Sequence, residues 1–234
     1  MSLEFHSVTF RSPDARRDAE FWAAVLGRSL HTDDGGILLP GGLGQVGIRF
    51  EDGPAHGVEM NRLHLHLSRA NRNQRDTIAA CVESGGRLRG NGHVPENSYA
   101  AMADPVGDEF CVIEDENGYL AGCGPLGEVT CDGTKAAGLF WGAALGWPVV
   151  WDVGEEVAIQ SPIGGTKLAW GGEDIDPAKD RERQVFVLTA SADELAEEVD
   201  RLVDLGASDR GEKRTGITTL RDPDGIEFEV RTRR

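Results

Sequence analysis

The sequence has few positive charges, few cysteines and no long apolar run, and each of these absences excludes a class of protein. There are 24 Lys and Arg against 40 Asp and Glu, so the net charge is −16 at pH 7. No basic stretch is long enough to bind a phosphate backbone or an anionic membrane surface. No apolar run approaches the roughly 20 residues that cross a bilayer, and the N-terminus lacks a basic-then-apolar signal segment. We therefore expect a cytoplasmic protein with no nucleic-acid and no membrane partner.

The four cysteines are too few and too irregularly spaced for a disulfide framework in a chain of 234 residues. They are Cys81, Cys111, Cys123 and Cys131, and no Cys-x-x-Cys pair occurs among them. We expect reduced thiols, most of which pack as small hydrophobic side chains.

An internal repeat indicates a duplicated domain. The segment "EFWAAVLGRSL" at 20–30 recurs as "LFWGAALGWPV" at 139–149, and "MADPVGDEFCVIE" at 102–114 recurs as "LRDPDGIEFEVR" at 220–231. Both pairs have nearly the same spacing, so the two halves correspond along their length. The sequence predicts domain 1 at 1–117, a Gly-rich linker at 118–125 and domain 2 at 126–234.

Each half contains the same short pattern twice: a strand, a helix and three further strands. In the first unit, Ser12 is the predicted N-cap of the helix, Pro13 its first residue and Gly27 its stop. In the last unit, Ser191 and Glu194 have the spacing of a capping box. The prediction is an α+β fold of four βαβββ modules, in which curved and mainly antiparallel sheets carry helices on the outside and enclose concave cups.

The strand "RLHLHLS" at 62–68 alternates leucine with histidine. Residues two apart in a strand share a face, so the leucines face the helix and His64 and His66 face the cup. The matching strand of the second half, "RQVFVLT" at 183–189, has Val185 and Val187 at these positions. Two interpretations stay open: the histidines contact a ligand or metal, or they are hydrogen-bonded structural residues.

Together, these motifs resemble the vicinal oxygen chelate superfamily, which includes glyoxalase I, extradiol dioxygenases and the bleomycin- and fosfomycin-resistance proteins. The resemblance rests on "FHSVTF" with the following "EFWAAVLG", on "RLHLHLS", and on "ADPVGDEFCVIE" and "RDPDGIEFEVR". The last two match the Asp-Pro-x-Gly ending of the family. The resemblance covers nearly the whole chain and implies two fused glyoxalase-like domains. Because this fold hosts lyases, isomerases, dioxygenases, transferases and simple binders, it does not specify the chemistry.

The resemblance also implies candidate metal ligands, because the metal enzymes of the family use His on the first strand of a module and Glu on the last. His6 and His64 occupy the two first-strand positions of the first half, and Cys111 stands where a closing Glu would be. Arg49 occupies the other carboxylate position of that half. The implied cofactor is one divalent metal (Zn, Ni or Fe) bound by His6, His64 and Cys111, or no cofactor at all.

In the second half, only Glu229 matches a family ligand position. Gly127, Ala169 and Val185 occupy the other three positions, so neither half carries a complete set. If its neighbours are Val185 and Ala169, burial is expected to raise the pKa of Glu229 and make it a catalytic general base. The alternative is a glutamate that reaches solvent at the rim of the cup.

Two ways of pairing the modules remain open at this point. Either neighbouring modules build each cup, or modules one and four build one cup and modules two and three build the other. Under the second arrangement His6, Arg49 and Glu229 share a cup, and His64 joins Cys111 in the other cup.

The candidate substrate-binding residues are Arg49, His66, Trp151 and Trp170. Arg49 either clamps a carboxylate or phosphate of a ligand or pairs with Glu51 or Asp52. Trp151 and Trp170 are placed to form aromatic walls, which suit flat small molecules.

Three functions fit the sequence. The first is a lyase, isomerase or dioxygenase-like enzyme that acts on a small oxygenated metabolite. The second is a binding protein that sequesters a drug or aromatic ligand without chemistry, and the third is a duplicated scaffold with a filled second cup. Two fused domains supply internally the contact for which single-domain relatives dimerise, so a monomer and a homodimer both remain possible.

Overall fold

The structure is a computed structural model that describes residues 3–33, 35–54, 62–70, 72–90, 94, 98–171 and 183–233, with the backbone alone at 209–214. Within these residues the elements follow each other as four βαβββ modules, as the sequence predicts. The helices are α1 (Ala15–Leu26), α2 (Gln74–Glu83), α3 (Lys135–Leu145) and α4 (Leu195–Asp204). None of the helices in this described part of the chain is both long and apolar enough to cross a membrane.

Each module contributes four strands. Module 1 has β1 (Glu4–Ser12), β2 (His31–Asp33), β3 (Gly36–Leu39) and β4 (Gly47–Asp52), and module 2 has β5 (Leu63–Leu67), β6 (Arg87–Leu88), β7 (Ala100–Ala103) and β8 (Glu109–Val112). Module 3 has β9 (Leu126–Asp132), β10 (Val149–Val153), β11 (Glu156–Gln160) and β12 (Lys167–Gly171), and module 4 has β13 (Gln184–Ala190), β14 (Ser208–Arg214), β15 (Ile217–Arg221) and β16 (Glu227–Thr232).

The strands form two mixed sheets, and each sheet takes one module from each half of the chain. Sheet A has the order β14-β15-β16-β13-β1-β4-β3-β2, so it joins module 1 to module 4. Sheet B has the order β10-β11-β12-β9-β5-β8-β7-β6, so it joins module 2 to module 3. Antiparallel pairs β1·β13 and β5·β9 lie at the centres of the two sheets. Module 1 therefore pairs with module 4 and module 2 with module 3, which decides between the two arrangements that the sequence left open.

Helix α1 begins later than predicted and ends where predicted. Its N-cap is Asp14, whose carboxylate accepts from the backbone N–H of Arg17 at 3.1 Å, so the prediction of Ser12 as N-cap is wrong. Ser12 is the last residue of β1, and its hydroxyl donates instead to the carboxylate of Asp18. Gly27 ends the helix in the left-handed conformation with φ 67°, a backbone geometry that favours glycine.

The capping box predicted for α4 does not form. The helix begins at Leu195 after Glu194, which makes no side-chain cap hydrogen bond. The hydroxyl of Ser191 contacts the Glu194 carboxylate rather than a backbone N–H. One side of the helix is nevertheless apolar, because Val199 and Leu202 are buried.

A buried tryptophan on α1 connects the helix with a turn of the neighbouring module. The ring centroids of Trp22 and of Phe110 on β8 are 4.9 Å apart, and Trp22 Nε1 donates to Asp104 at 3.3 Å. Asp104 also accepts from the backbone N–H groups of Gly107 and Asp108, which fixes the Asp-Pro-x-Gly turn.

The second half repeats this arrangement with Trp141, Phe228 and Asp222. The ring centroids of Trp141 and Phe228 are 4.9 Å apart, and Trp141 Nε1 donates to Asp222 at 3.2 Å. Trp22 reaches sheet B from module 1, and Trp141 reaches sheet A from module 3, so the apolar core is continuous between the two sheets.

Candidate functional site

The concave face of sheet B, called cup B below, displays the histidines of β5. Leu63, Leu65 and Leu67 are buried in the core, as the alternation predicts. On the opposite face, His64 lies across from Thr130 of β9 and His66 lies across from Glu128. His66 is also paired with Cys111 of β8 on its other side. His66 therefore lies between a thiol and a carboxylate.

A chain of hydrogen bonds connects three side chains in cup B. His66 Nδ1 lies 3.0 Å from Glu128 Oε2, and the hydroxyl of Tyr119 donates to Glu128 Oε1 at 2.6 Å. The ammonium of Lys167 lies 3.7 Å from the centre of the Tyr119 ring, a cation–π contact. Both oxygens of the Glu128 carboxylate are thus held, and the imidazole orientation is fixed.

The surroundings of His66 favour its protonated form. Burial lowers the pKa of an imidazole, but hydrogen bonds with Cys111 and Glu128 outweigh it and raise the pKa of His66 to about 9. At neutral pH this ring is an imidazolium that donates to Glu128. Burial and the adjacent Glu128 charge raise the pKa of Tyr119, so its hydroxyl remains a neutral donor.

A cavity of about 410 Å³ lies beside this chain. Trp151 forms one wall, at 5.4 Å edge-to-face from Tyr119, and its Nε1 donates to Glu156 at 3.4 Å. Trp170 is mostly buried in the core, where it stacks on Trp141, and it also borders the cavity. The lining residues include Tyr119, Glu128, Thr130, Asp132, Trp151, Glu156, Ala169 and Trp170. The cavity combines aromatic walls with three carboxylates.

The concave face of sheet A, called cup A below, carries a ladder of ion pairs instead. Arg49 donates to Asp33 at 3.0 Å and to Glu51 at 2.9 Å. Arg231 donates to the same Glu51 at 3.1 Å and to Glu229 at 2.7 Å. Of the two interpretations of Arg49, the structure has the one in which it pairs with Glu51. The guanidinium group of Arg49 therefore already donates hydrogen bonds to carboxylates of the protein itself.

Glu229 has different neighbours from those considered in the sequence. It lies opposite Val187 on one side and Thr219 on the other, while Ala169 belongs to sheet B. The condition considered for Glu229 is therefore not met: its partner on β13 is Val187, two residues from Val185, and Ala169 lies in the other sheet because module 4 pairs with module 1. An ion pair with Arg231 replaces the apolar setting expected of a general base, and a catalytic role for Glu229 stays a prediction.

The three predicted metal ligands are not brought together. His6 lies on β1 in sheet A, where its Nδ1 is 3.0 Å from the Ser7 hydroxyl, whereas His64 and Cys111 lie in sheet B. Burial lowers the pKa of His6, as do the positive charges of Arg49 and Arg231. Two guanidinium groups beside this imidazole oppose the binding of a cation.

The described side chains do not fit the divalent metal implied by the resemblance. Among them, no group of three or more His, Cys, Asp or Glu residues is placed to hold a metal ion. In cup B, Nδ1 of His66 already bonds to Glu128, whose other carboxylate oxygen accepts from Tyr119.

Sequence reasoning missed Glu128 and Tyr119. Comparison of the halves placed Gly127 at the ligand position, whereas the residue of β9 that lies opposite His66 is Glu128. The alternation within "LGEVTCD" could have shown this, because Glu128 and Thr130 share a face opposite Val129. Tyr119 lies in the predicted linker, where no periodic pattern indicates the direction of a side chain.

Comparisons with known proteins agree on the family to which this chain belongs. A family model described as a glyoxalase-like domain matches residues 7–113 and 128–231. No curated protein matches the chain. The structure resembles glyoxalase I from Zea mays, with 17% identity, a TM-score of 0.70 and coverage of 99% of this chain and 92% of that chain.

The structure also resembles a putative dioxygenase from Bacillus subtilis subsp. subtilis, with 17% identity, a TM-score of 0.59 and coverage of 97% of this chain and 84% of that chain. A mutant of the fosfomycin resistance protein FosX from Listeria monocytogenes, solved with Mn(II), has 13% identity and a TM-score of 0.35, with coverage of 46% of this chain and 89% of that chain. At such identities the solved structures show the fold alone. The two family-model matches cover most of the sequence, and the chain belongs to the glyoxalase-like domain family of the vicinal oxygen chelate superfamily.

Proposed function

We propose that this protein acts on a small oxygenated organic molecule bound in cup B. The observation that carries the proposal is the cavity of about 410 Å³ beside the Tyr119–Glu128–His66 chain. Aromatic walls with a few convergent polar groups and a perturbed titratable residue are typical of small-molecule sites. Cup A supports this role less well, because its arginines and carboxylates neutralise one another.

The side chains of cup B suggest separate roles in such a reaction. Trp151 and Tyr119 offer surfaces for a flat part of the ligand, and the hydroxyl of Thr130 is a polar group at the cavity wall. His66 bonds to Glu128, which borders the cavity, and this pair is the proposed source of a proton for a substrate oxygen on which negative charge develops. The corresponding reaction class is proton transfer of the lyase or isomerase type.

A second candidate is binding without chemistry. Three carboxylates, Glu128, Asp132 and Glu156, surround aromatic walls in the same cavity. Aromatic faces and nearby carboxylates attract flat organic cations, and the net charge of −16 adds to that attraction. This arrangement favours sequestration of a cationic aromatic compound.

Tryptophan fluorescence tests whether cup B is the binding site. Two matched panels would be titrated, one of small aromatic hydroxy- and oxo-compounds and one of aromatic ammonium compounds. A ligand should quench the wild-type protein and bind at least roughly tenfold more weakly to Trp151→Leu, because a buried aromatic contact is worth on the order of 1 kcal/mol or more. Trp147→Leu is the matched control, because Trp147 packs on Phe5 and does not border the cavity.

Turnover separates the two candidates. For an oxygenated ligand, Glu128→Gln should lower kcat about 100-fold, as expected when a proton-transfer group loses its partner, with a smaller change in KM. Binding of the ammonium panel with no turnover of any ligand would favour sequestration. Both candidates would be contradicted if no compound of either panel bound, or if Trp151→Leu bound as the wild type does.

A further inference from the structure

The floor of the cavity in cup B is formed by small side chains. Thr130 of β9 lies opposite Ala169 of β12, and Gly171 follows on the same face of β12. Trp151 stands on the edge strand β10, with Ala158 of β11 between it and Ala169. The space above Ala169 and Gly171 is therefore open, and the indole of Trp151 borders it.

The side chain of Glu156 on β11 lies over the Gly171 end of this floor. A Cβ at Gly171 would be 2.9 Å from Cγ of Glu156, so the glycine leaves the space that the Glu156 side chain occupies. Trp151 Nε1 donates to the Glu156 carboxylate at 3.4 Å, and both side chains border the cavity. A carboxylate and an indole thus meet at one end of the cavity.

The charge of Glu156 is not compensated by a cation in the part of the chain that the structure describes. There Glu156 makes no ion pair, and its hydrogen-bond donor is the neutral indole of Trp151. Glu128 differs, because it is bonded to both His66 and Tyr119. The described residues that line the cavity include no Lys, Arg or His. A positively charged ligand would supply the missing compensation, and the indole adds a cation–π surface.

The polar groups at the two ends of the cavity limit the length of the ligand. Glu128 and Asp132 are separated along β9 by about 13 Å, at the usual rise of a strand. Asp132 lies opposite Gly171, so Glu156 belongs to the Asp132 end. A hydrogen bond of roughly 3 Å at each end leaves about 7 Å for the ligand. That length suits a single ring with a short chain.

We propose that cup B selects hydroxyarylalkylamines, which are phenolic rings with a short chain ending in an ammonium group, and that Glu156 determines this selectivity. This inference rests on the proposed small-molecule site in cup B and names the ligand class of that site. The ammonium group donates to Glu156 and lies against the indole of Trp151. The phenolic oxygen lies at the other end, beside Glu128 and Tyr119.

The test is isothermal titration calorimetry with three compounds of similar shape. Tyramine has both polar ends, 2-(4-hydroxyphenyl)ethanol replaces the ammonium group with a neutral hydroxyl, and 2-phenylethylamine lacks the phenolic oxygen. We expect the wild-type protein to bind tyramine at least about tenfold more tightly than the neutral alcohol, because a hydrogen bond with a charged donor is the stronger one. The binding of 2-phenylethylamine should also be weaker than that of tyramine.

Glu156→Gln removes the charge and keeps an oxygen that can accept from Trp151. Its affinity for tyramine should fall to about that for the neutral alcohol, at least tenfold below the wild type, while its affinity for the alcohol stays unchanged. Glu155→Gln is the matched control, because it removes the same charge from the adjacent residue, which does not border the cavity. Both compounds should bind this control as they bind the wild type. Circular dichroism and thermal unfolding report whether each variant keeps the fold.

Four outcomes would overturn the inference: no binding of tyramine, equal affinities of the wild type for tyramine and the neutral alcohol, equal affinities for tyramine and 2-phenylethylamine, or equal losses in Glu155→Gln and Glu156→Gln. Failure of this inference is distinguishable from failure of the proposed function. A compound from the broader panels that quenches the wild type and binds Trp151→Leu more weakly would still support binding in cup B.

Discussion

Asp18 is a buried carboxyl group whose charge has little compensation. Its side chain has 0% exposure, and burial together with the charge of Asp104 raises the pKa of Asp18 to about 8. Within the described residues its Oδ1 has no hydrogen-bond partner, while Oδ2 accepts from Ser12. The folded protein therefore keeps a proton on Asp18 over a range of pH in which the unfolded chain has lost it.

The sign of the pH dependence follows from this difference. Between about pH 4 and pH 8 the folded state binds the extra proton, so Asp18 makes the free energy of unfolding decrease as pH rises, by at most about 1.4 kcal/mol per pH unit. Asp18→Asn should reduce this slope and make the variant more stable than the wild type at pH 8.5. Urea unfolding of both proteins from pH 5 to pH 8.5 checks the difference. The exposed Asp204→Asn is the control, and an unchanged slope in Asp18→Asn would contradict the argument.

At this scale the sequence predicts the direction of a side chain better than its partner. The alternation in "RLHLHLS" was sufficient to place His64 and His66 on the concave face. It could not identify Glu128 as the partner of His66, because that contact depends on the register between β5 and β9, which are distant in sequence. Arg49 was recognised as a charged residue facing a cup, but its contact with Asp33 also required the positions of β2 and β4.

Helix α3 packs closely on sheet B because it has glycine where the helix meets the strands. A Cβ at Gly138 would lie 2.3 Å from Cγ1 of Val157 and 3.0 Å from the ring of Trp170. Both neighbours are buried, so neither can move away freely. The distance between helix and sheet is thus set by the absence of a side chain.

Gly138→Ala should therefore destabilise the protein by about 1 to 3 kcal/mol, as expected for overpacking in a core. The matched control is Gly142→Ala, one turn further along the same helix, where the nearest atom to a new Cβ is 3.2 Å away. There the gain in helix propensity, up to about 1 kcal/mol, should offset most of the strain. Chemical denaturation measures both changes, and equal stabilities of the two variants would show that the close approach does not control the packing.

The order and type of the elements could be predicted because their signals are local. Two repeats and their Asp-Pro-x-Gly turns indicated four βαβββ modules, and the structure confirms them. The starts of α1 and α4 were less predictable, since Ser12 and Ser191 have the right residue type for a cap and yet bond to carboxylates. A capping residue competes with other acceptors that only the folded chain brings near.

Across the whole molecule, the arrangement of the modules depends on contacts between the two halves. The side chain of Gln184, in sheet A, accepts from the backbone N–H of Leu63 at 2.9 Å and donates to its carbonyl at 3.0 Å, in sheet B. Nothing in the local pattern of module 1 distinguishes module 2 from module 4 as a partner for β1. The pairing could not be predicted from sequence for this reason, and the predicted boundaries at 117 and 126 stay a prediction.

Because each sheet needs both halves, we expect residues 1–117 and 118–234 to fold poorly as separate chains. Each fragment would leave two central strands unpaired, β1 and β5 in one and β9 and β13 in the other. Co-expression of the two fragments should restore a one-to-one complex with the circular dichroism and thermal unfolding of the intact protein. Light scattering measures the stoichiometry. Two separately folded, monomeric fragments would contradict the observed exchange of modules.

Arg233, which follows the last strand of module 4, forms an ion pair at 3.1 Å with Glu4 at the start of module 1. Module 4 returns to module 1 in sheet A, module 2 meets module 3 in sheet B, and Trp22 and Trp141 connect the modules within each half. The four modules thus form a closed circuit in space, although the chain that builds them is linear. A circularly permuted gene, in which a short peptide joins the present ends and the chain is opened between modules 2 and 3, would encode the same two cups.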